Sequence, residues 1–107
     1  MLYEYRRYHA MPGRMPDLQH RFENHTLKFW ARHGIEPVGF WLADVGTGNV
    51  LHYLLRWADM ADRETRWSAF QADEEWIKTR AATEANGPLV EHIVNEFWRP
   101  TRYSQLQ

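Results

Sequence analysis

His52 is the residue of this sequence best placed to do acid–base chemistry, because it lies in the middle of an apolar run. The run from Val50 to Trp57 has the length and composition of a β-strand. A polar ring in such a strand needs a partner, since burying it unpaired costs free energy. A carboxylate beside an imidazole sets the tautomer of the ring and raises its pKa, which suits a general acid or base. Glu4 and Glu96 are the candidate carboxylates.

The other candidate site residues are aromatic or charged and lie on predicted strands that neighbour His52. Residues 2 to 9 alternate as a strand does, and one side of that strand carries Glu4, Arg6 and Tyr8. We predict that this side shares a face with His52 and that an arginine there holds an anionic group. The predicted ligand-binding residues are Arg6, Tyr8, Trp41, His52, Arg56 and Glu96, and the catalytic candidates are His52 and Glu4.

Two simpler interpretations of this set remain open. In the first, its charged members form a solvated ion network at a dimer seam; in the second, they line a pocket in which nothing reacts. A histidine that points into a deep cavity, with a carboxylate behind it, would instead favour an enzyme.

Metal and cofactor sites find no support in the sequence. His25 falls in the inner stripe of a predicted helix, and we interpret it as a buried or boundary histidine. No two histidines have the spacing of a helical metal pair, and the sequence has no cluster of His, Cys and acidic residues. The turn at 46 to 48 lacks the third glycine of a dinucleotide loop and leads into a strand. We therefore predict no metal and no cofactor.

A predicted hairpin positions His52. Two apolar runs, 38 to 43 and 50 to 57, flank a segment at 44 to 49 whose glycine, aspartate and asparagine residues are typical of a turn. If the two runs pair from the turn outwards, Trp41 lies opposite His52. One face then carries Val38, Phe40, Leu42, Leu51, Tyr53, Leu55 and Trp57, and the other carries Gly39, Trp41, Ala43, Val50, His52, Leu54 and Arg56.

The two faces of this hairpin need different covers. The first face is apolar apart from one hydroxyl, so we expect helices to pack on it. The second face is too apolar for open water, and a chain of 107 residues has no further layer to place on it. We therefore predict that a second copy of the chain covers it, in a homodimer.

Helices and two more strands complete the predicted fold. The first helix runs from about residue 16 to 33 and stops at Gly34, and its inner stripe is Leu18, Phe22, His25, Phe29 and Trp30. Asp59 and Asp73 are predicted N-caps of two further helices. A last strand follows at 90 to 99, and then a polar tail at 101 to 107. This order predicts a single α+β domain over 1–107, a βαββαβ sheet of four antiparallel strands with helices on one face.

The composition excludes several classes of protein. The net charge is −1 and the basic residues are scattered, so we expect no nucleic acid partner. The absence of cysteine excludes disulfides and thiolate chemistry. No apolar run approaches the ~20 residues that span a bilayer, and the first residues lack the apolar region of a signal peptide. We expect a cytoplasmic protein.

Several segments together resemble the NIPSNAP family, in their order and spacing and over nearly the whole chain. They are Tyr3-Glu4-Tyr5-Arg6-Arg7-Tyr8 with Pro12-Gly13, then Val38-Gly39-Phe40-Trp41 leading to Gly46 and Asn49-Val50-Leu51-His52, then Asp62-Arg63, Asp73 to Trp76, and Phe97-Trp98-Arg99-Pro100. The resemblance implies the ferredoxin-like fold of the dimeric α/β-barrel superfamily, which agrees with the topology deduced from the residues. It implies no reaction.

The predicted function is that of a NIPSNAP-like homodimer that binds a small apolar or aromatic ligand in the barrel, between the sheet and its cover. Two alternatives stay open. One is a cofactor-independent monooxygenase or isomerase on the same fold with His52 as acid or base, by analogy with relatives in the wider superfamily. The other is a protein-interaction module whose dimer surface is its whole function.

Overall fold

The fold is built on one four-stranded sheet, and the structure, a computed structural model, describes every residue from 1 to 107. The elements in chain order are β1 (Leu2–Ala10), α1 (Met15–Arg21), a π-helical segment (Phe22–Thr26), α2 (Leu27–His33), β2 (Glu36–Leu42), β3 (Val50–Trp57), α3 (Met60–Ala72), α4 (Glu74–Thr83) and β4 (Val90–Trp98). The strands are antiparallel in the order β2-β3-β1-β4. The predicted α+β fold, with helices on one face of four antiparallel strands, is confirmed.

The register of the hairpin places His52 on the face away from the helices. Trp41 lies opposite His52 in the β2–β3 pair, and Gly39 lies opposite Leu54, as predicted. Tyr53, the next residue along, has 0% of its surface exposed and belongs to the core beneath the helices. We call the helix side of the sheet the covered face and the other side the open face.

Two residues predicted for the covered face are exposed instead. The register shifts between Pro37 and Gly39, so Val38 lies in a bulge and has no partner in β3. Leu42 ends β2, and it is half exposed because β2 is an edge strand. The apolar side of the hairpin is therefore covered over Phe40 and the β3 residues but not at these two positions.

A π-helical turn joins α1 and α2, and the sequence pattern did not predict it. The amide of Leu27 donates to the carbonyl oxygen of Phe22, five residues back, as a π-helix requires. The wide turn changes the residue that faces the core, so Thr26 is buried and His25 lies at the boundary. Gly34 ends α2 in the left-handed conformation, with a φ of 69°, as predicted.

The predicted N-caps of α3 and α4 are confirmed. Asp59 Oδ1 accepts a hydrogen bond from the amide of Asp62 at 2.8 Å, and Asp73 Oδ1 accepts one from the amide of Glu75 at 3.0 Å. The other carboxylate oxygen of Asp73 lies 2.7 Å from Nε2 of His33. This contact lowers the pKa of Asp73 to about 2. The end of α2 is thereby tied to the start of α4.

The core lies between the helices and the covered face and is largely aromatic. Its members pack edge to face and tilted, with ring centroids about 5 to 6.5 Å apart, as aromatic quadrupoles favour. The fully buried large side chains are Trp30, Trp57, Tyr53, Phe70, Leu18, Leu55, Leu89 and Glu4. Glu4 is the charged member of this set, and a buried carboxylate needs hydrogen-bond partners. Those partners lead to the candidate site.

The tail after β4 returns to the sheet. The hydroxyl of Tyr3 donates to the carbonyl oxygen of Gln107 at 2.8 Å, and the side-chain amide of Gln107 donates to the carbonyl oxygen of Thr101 at the same distance. Tyr3 lies on the open face, yet only 3% of its surface is exposed. One end of the open face is therefore closed by the chain's own last residues.

Candidate functional site

The structure divides the predicted site residues between the two faces of the sheet. Trp41, His52, Arg56 and Glu96 share the open face, as expected. In contrast, Glu4 pairs with Leu55, Arg6 with Tyr53 and Tyr8 with Leu51, so all three lie on the covered face. The prediction that Glu4, Arg6 and Tyr8 meet His52 is wrong.

The error has a physical cause in β1. Alternation identifies the residues that share a side of a strand, but the side that is buried must be judged from polarity. Both sides of β1 carry tyrosine and arginine, so polarity does not separate them. The charged side is the buried one because its charges find partners on β3, β4 and α3, as buried charges require.

Glu4 is the centre of this buried network. Its two carboxylate oxygens accept hydrogen bonds at 2.8 to 3.2 Å. The donors are Arg6, Trp57, Arg63 and Asn95, and Arg63 donates to both oxygens. Burial alone would raise the pKa of Glu4, but the hydrogen bonds from Arg63 and Arg6 outweigh it, so the pKa lies below its ordinary value. Glu4 is therefore held as a carboxylate.

Arg6 carries the network from Glu4 to two tyrosines. Its Nε donates to the hydroxyl of Tyr53 at 2.7 Å, and the Tyr53 hydroxyl donates to the hydroxyl of Tyr8 at 2.8 Å. The guanidinium carbon also lies 4.7 Å from the centre of the Trp67 ring, within cation–π range. Burial raises the pKa of Tyr53 well above its ordinary value, so this hydroxyl stays protonated. Arg6 and Tyr8 are thus fixed in place at the edge of a cavity.

That cavity, of about 390 Å³, opens between the covered face and the helices. Its apolar wall is mostly aromatic: Tyr8, Phe22, Trp30, Trp67, Phe70 and Trp76. Its polar lining includes Arg6, Arg21, Thr26, Arg80, Glu84 and Glu91. Sites for small ligands have this size and this mixture of a broad apolar wall with a few polar groups. Arg6 and Tyr8 were predicted to bind a ligand, but on the other face of the sheet.

Two residues that line the cavity each carry a buried polar atom without a hydrogen-bond partner. The atoms are Oγ1 of Thr26 and Nε1 of Trp30, on residues that are 4% and 1% exposed. Buried polar groups are normally paired, so each such atom calls for an explanation. Sequence reasoning missed Thr26, and the signal available was its spacing of four from both Phe22 and Trp30.

The open face carries a separate group of aromatic and basic side chains. Nδ1 of His52 lies 2.6 Å from the hydroxyl of Tyr5, and the Tyr5 ring stacks on Trp98 with centroids 4.8 Å apart. Trp41 lies over Gly39, where a Cβ would come within 2.8 Å of its ring. Trp41 is 54% exposed and Trp98 is 43% exposed. The open face thus presents flat apolar rings to its surroundings.

The charged residues of the open face are loosely paired. Nε of Arg7 and Nε of Arg56 are buried without hydrogen-bond partners. Glu96 accepts a hydrogen bond from the Trp98 indole at 3.0 Å and is exposed. His52 has the Tyr5 hydroxyl as its neighbour in place of the predicted carboxylate. The acid–base pair expected from the sequence is therefore not assembled here.

Neither a metal cluster nor a membrane-crossing helix is found in the structure. No group of three or more His, Cys, Asp and Glu side chains is placed to hold a metal ion. None of the helices combines the length and the apolar character that crossing a bilayer requires.

Comparison with known proteins identifies relatives over nearly the full length. The model of the NIPSNAP family matches residues 3–105. Comparison with curated proteins found no match. Protein Atu4242 from Agrobacterium tumefaciens is 25% identical, with a TM-score of 0.87 over 100% of both chains. An uncharacterized NIPSNAP domain protein from Burkholderia xenovorans is 23% identical, with a TM-score of 0.85 over 97% of this chain and 98% of its own.

A more distant structure shares the fold alone. A mutant of MhuD, with two manganese protoporphyrin IX molecules bound per active site, is 17% identical to this chain. Its TM-score is 0.60, over 94% of each chain. The similarity therefore extends to the arrangement of the strands and helices.

Proposed function

The chain belongs to the NIPSNAP family, and we propose that it is a homodimeric domain that binds a small apolar or aromatic ligand between the sheet and its helices. The observation that carries the proposal is the cavity of about 390 Å³ with its aromatic wall. Ligand sites combine such a wall with a few fixed polar groups, and Arg6 and Tyr8 supply these from β1.

The network behind the cavity supports a binding role. Arg6 is held by Glu4 at 2.8 Å and by Tyr53 at 2.7 Å, so its position does not depend on a ligand. A preformed polar group loses little entropy when a ligand arrives, which favours binding. Tyr8 is fixed in the same way by Tyr53. The site is thus organised before it is occupied.

The open face supports the dimer. Trp41 and Trp98 are 54% and 43% exposed on the same side of the sheet, and the molecule is only 19 Å across its shortest dimension. A second copy packed on this face would remove these rings from water. A specific dimer should bury more than about 1,000 Å² in total.

Binding is proposed ahead of catalysis because His52 lacks the neighbour that acid–base chemistry needs. Its partner is the Tyr5 hydroxyl at 2.6 Å, while Glu4 lies on the other face of the sheet. The cavity wall offers instead a fixed cation, a phenol and several aromatic rings. These groups recognise a ligand without requiring a reaction.

The test of the binding site is a variant that fills the cavity from its edge. Ile93 lines the cavity from β4 and is 44% exposed, so Ile93→Trp adds bulk without disturbing the core. Val45→Trp is the matched control, because Val45 is 96% exposed in the β2–β3 turn. Titration calorimetry with indole, 2-naphthol, 2-naphthoate and haemin measures the affinities.

We expect a bicyclic aromatic probe to bind the wild type and the Val45→Trp control alike, and to bind Ile93→Trp at least about tenfold more weakly. Equal binding by all three proteins would show that the probe binds outside this cavity. If none of the probes binds the wild type at millimolar concentration, the proposed function is wrong. Haemin tests separately whether this chain shares the type of ligand seen in the MhuD structure.

A further inference from the structure

We propose that the ligand of the cavity is an aromatic acid, whose carboxylate is bound by Thr26, Trp30 and Arg21 from the helical region that contains the π-turn. This inference rests on the proposed function, because it names the chemical class of the ligand for the same cavity. It is carried by two unpaired buried atoms, by an incompletely paired buried arginine and by an aromatic wall.

The unpaired atoms both lie on one side of one helix. Thr26 and Trp30 are four residues apart, which places them on the same helical face, and both line the cavity. The indole Nε1 donates and does not accept, and the threonine hydroxyl can donate as well. Both atoms are covered in the protein without a ligand, so we infer that a small side-chain rotation brings these two donors to a carboxylate, which offers two acceptor oxygens.

The unpaired Thr26 hydroxyl belongs to the π-turn. In a regular helix a threonine hydroxyl commonly bonds to the carbonyl oxygen four residues back, which here would be that of Phe22. Here that oxygen accepts the amide of Leu27, five residues on, and the Thr26 hydroxyl makes no bond to it. The hydroxyl of Thr26 has no partner although only 4% of the residue is exposed. Such turns are rare, and they are frequently found at functional sites.

Arg21 supplies a positive charge that its neighbours satisfy incompletely. Arg21 is 5% exposed and lines the cavity. Its donors reach Thr83 at 3.3 Å and Glu84 at 3.4 Å, both longer than the 2.7 to 2.9 Å typical of charge-assisted bonds. Burial lowers the pKa of Arg21, and the contact with Glu84 does not fully offset the effect. An incoming carboxylate would complete the pairing of this charge.

The other buried arginine is not available for this role. Arg6 already donates to Glu4, Tyr53 and, at 3.5 Å, Tyr8. Its guanidinium also forms an ion pair with the Glu4 carboxylate at 2.8 Å. Arg21 is therefore the arginine from which a ligand gains most, and Glu84 is the carboxylate with which the ligand would compete.

The aromatic part of the ligand is set by the rest of the wall. Phe22, Trp67, Phe70 and Trp76 line the same space, and the Phe70 ring packs on both Trp67 and Trp76, with centroids 5.3 and 4.8 Å apart. A flat ring system packs against such surfaces better than a branched chain does. The volume of about 390 Å³ admits a small ring system together with its carboxylate.

The test compares the affinity of the full chain for an aromatic acid with its affinity for the uncharged amide of the same shape. Calorimetry measures the affinities of 2-naphthoate and 2-naphthamide, which have the same shape and differ in charge. The variants are Arg21→Met, Arg21→Lys, Thr26→Val and Glu84→Gln, with Ile93→Trp as the blocked cavity. The indole N–H signal of Trp30 in the nuclear magnetic resonance spectrum, assigned with Trp30→Phe, reports contact with the acceptor.

We expect the wild type to prefer the acid by at least about tenfold, as bonds to charged groups allow. Arg21→Met should remove the preference, and Arg21→Lys should keep part of it. Thr26→Val, which keeps the side-chain shape, should weaken binding of the acid severalfold, and the Trp30 signal should move downfield on its addition. Glu84→Gln should strengthen binding of the acid alone, an effect that a purely structural role of Glu84 does not produce.

Equal affinity for acid and amide in the wild type, with Ile93→Trp blocking both, would overturn the aromatic-acid assignment while leaving the proposed binding function intact. Absence of binding by both compounds would overturn the aromatic-acid assignment, and it would overturn the proposed binding function as well only if indole, 2-naphthol and haemin also fail to bind. If Arg21→Met fails to fold, the signs of the Thr26→Val, Glu84→Gln and Trp30 results decide the question.

Discussion

On the covered face Glu4 is fully buried and accepts hydrogen bonds from four side chains, whereas on the open face Glu96 is exposed and accepts a bond from Trp98. The two carboxylates lie on adjacent strands of one sheet. Glu4 can be buried because arginines from β1 and α3 converge on it, while Glu96 stays in contact with water.

The two faces differ in how far their buried polar groups find partners within the chain. The charges of the covered face satisfy one another within the chain, and the unpaired atoms on that side belong to Thr26 and Trp30, two residues that line the cavity. On the open face Arg7 and Arg56 each keep a buried Nε without a partner, and Trp41 and Trp98 are exposed. The unpaired atoms near the cavity motivate the proposed small ligand, and the exposed rings of the open face motivate the proposed dimer.

The largest expected effect is the loss of stability caused by Glu4→Gln on the covered face. The amide keeps the size of the carboxylate but leaves the charges of Arg6 and Arg63 without their partner. Breaking a buried pair in this way costs about 3–5 kcal/mol of stability, to be measured by urea denaturation. Glu96→Gln is the matched control and should change stability by less than about 1 kcal/mol. Similar losses in the two variants would contradict the contrast between the faces.

Trp41→Glu should weaken the proposed dimer through the open face and leave the packing of the covered face unchanged. Trp41 is 54% exposed, so the substitution removes apolar area and brings a charge into the proposed dimer seam. We expect a loss of at least about 2 kcal/mol, or roughly thirtyfold in the dimer dissociation constant, measured by sedimentation. Val45→Glu, in the exposed turn, should leave the association unchanged. A wild-type chain that sediments as a monomer at micromolar concentration would rule out the dimer.

Acid should lower the free energy of unfolding gradually, and by less than Glu4→Gln does, by protonating Glu4 on the covered face. The pKa of Glu4 lies below its ordinary value of 4.5 in the folded chain. The stability that Glu4 contributes is therefore present above pH 4.5 and is lost as the pH falls below 4.5 through the folded pKa. The free energy of unfolding should fall less steeply with acid in Glu4→Gln than in the wild type. Parallel pH profiles for the two proteins would show that Glu4 is not responsible.

Much of the fold follows from local chemistry in the sequence. The register of the hairpin was predicted from two alternating runs and a glycine-rich turn, and Trp41 does lie opposite His52. Asp59 and Asp73 were recognised as caps because a carboxylate before a helix accepts its free amides. These features depend on a few neighbouring residues, so a single sequence is enough to reveal them.

The candidate site depended on long-range pairing, which the sequence does not display. Glu4 is buried because Asn95 and Arg63, 91 and 59 residues away, reach it. The π-turn at Phe22 to Thr26 has no residue signature of its own, and it moved Thr26 into the position expected for His25. Polar residues in a strand indicate its solvent-exposed side only when no residue distant in the sequence pairs with them in the folded chain.

The π-turn can also be regarded as an insertion of one residue into an ancestral helix. A helix shorter by one residue would regain regular hydrogen bonds between α1 and α2 and would lose the widened turn that buries Thr26. Selection for stability alone would favour the deletion, and selection for recognition would oppose it. Relatives of this chain that lack the extra residue should therefore differ from it in what they bind before they differ in how they fold.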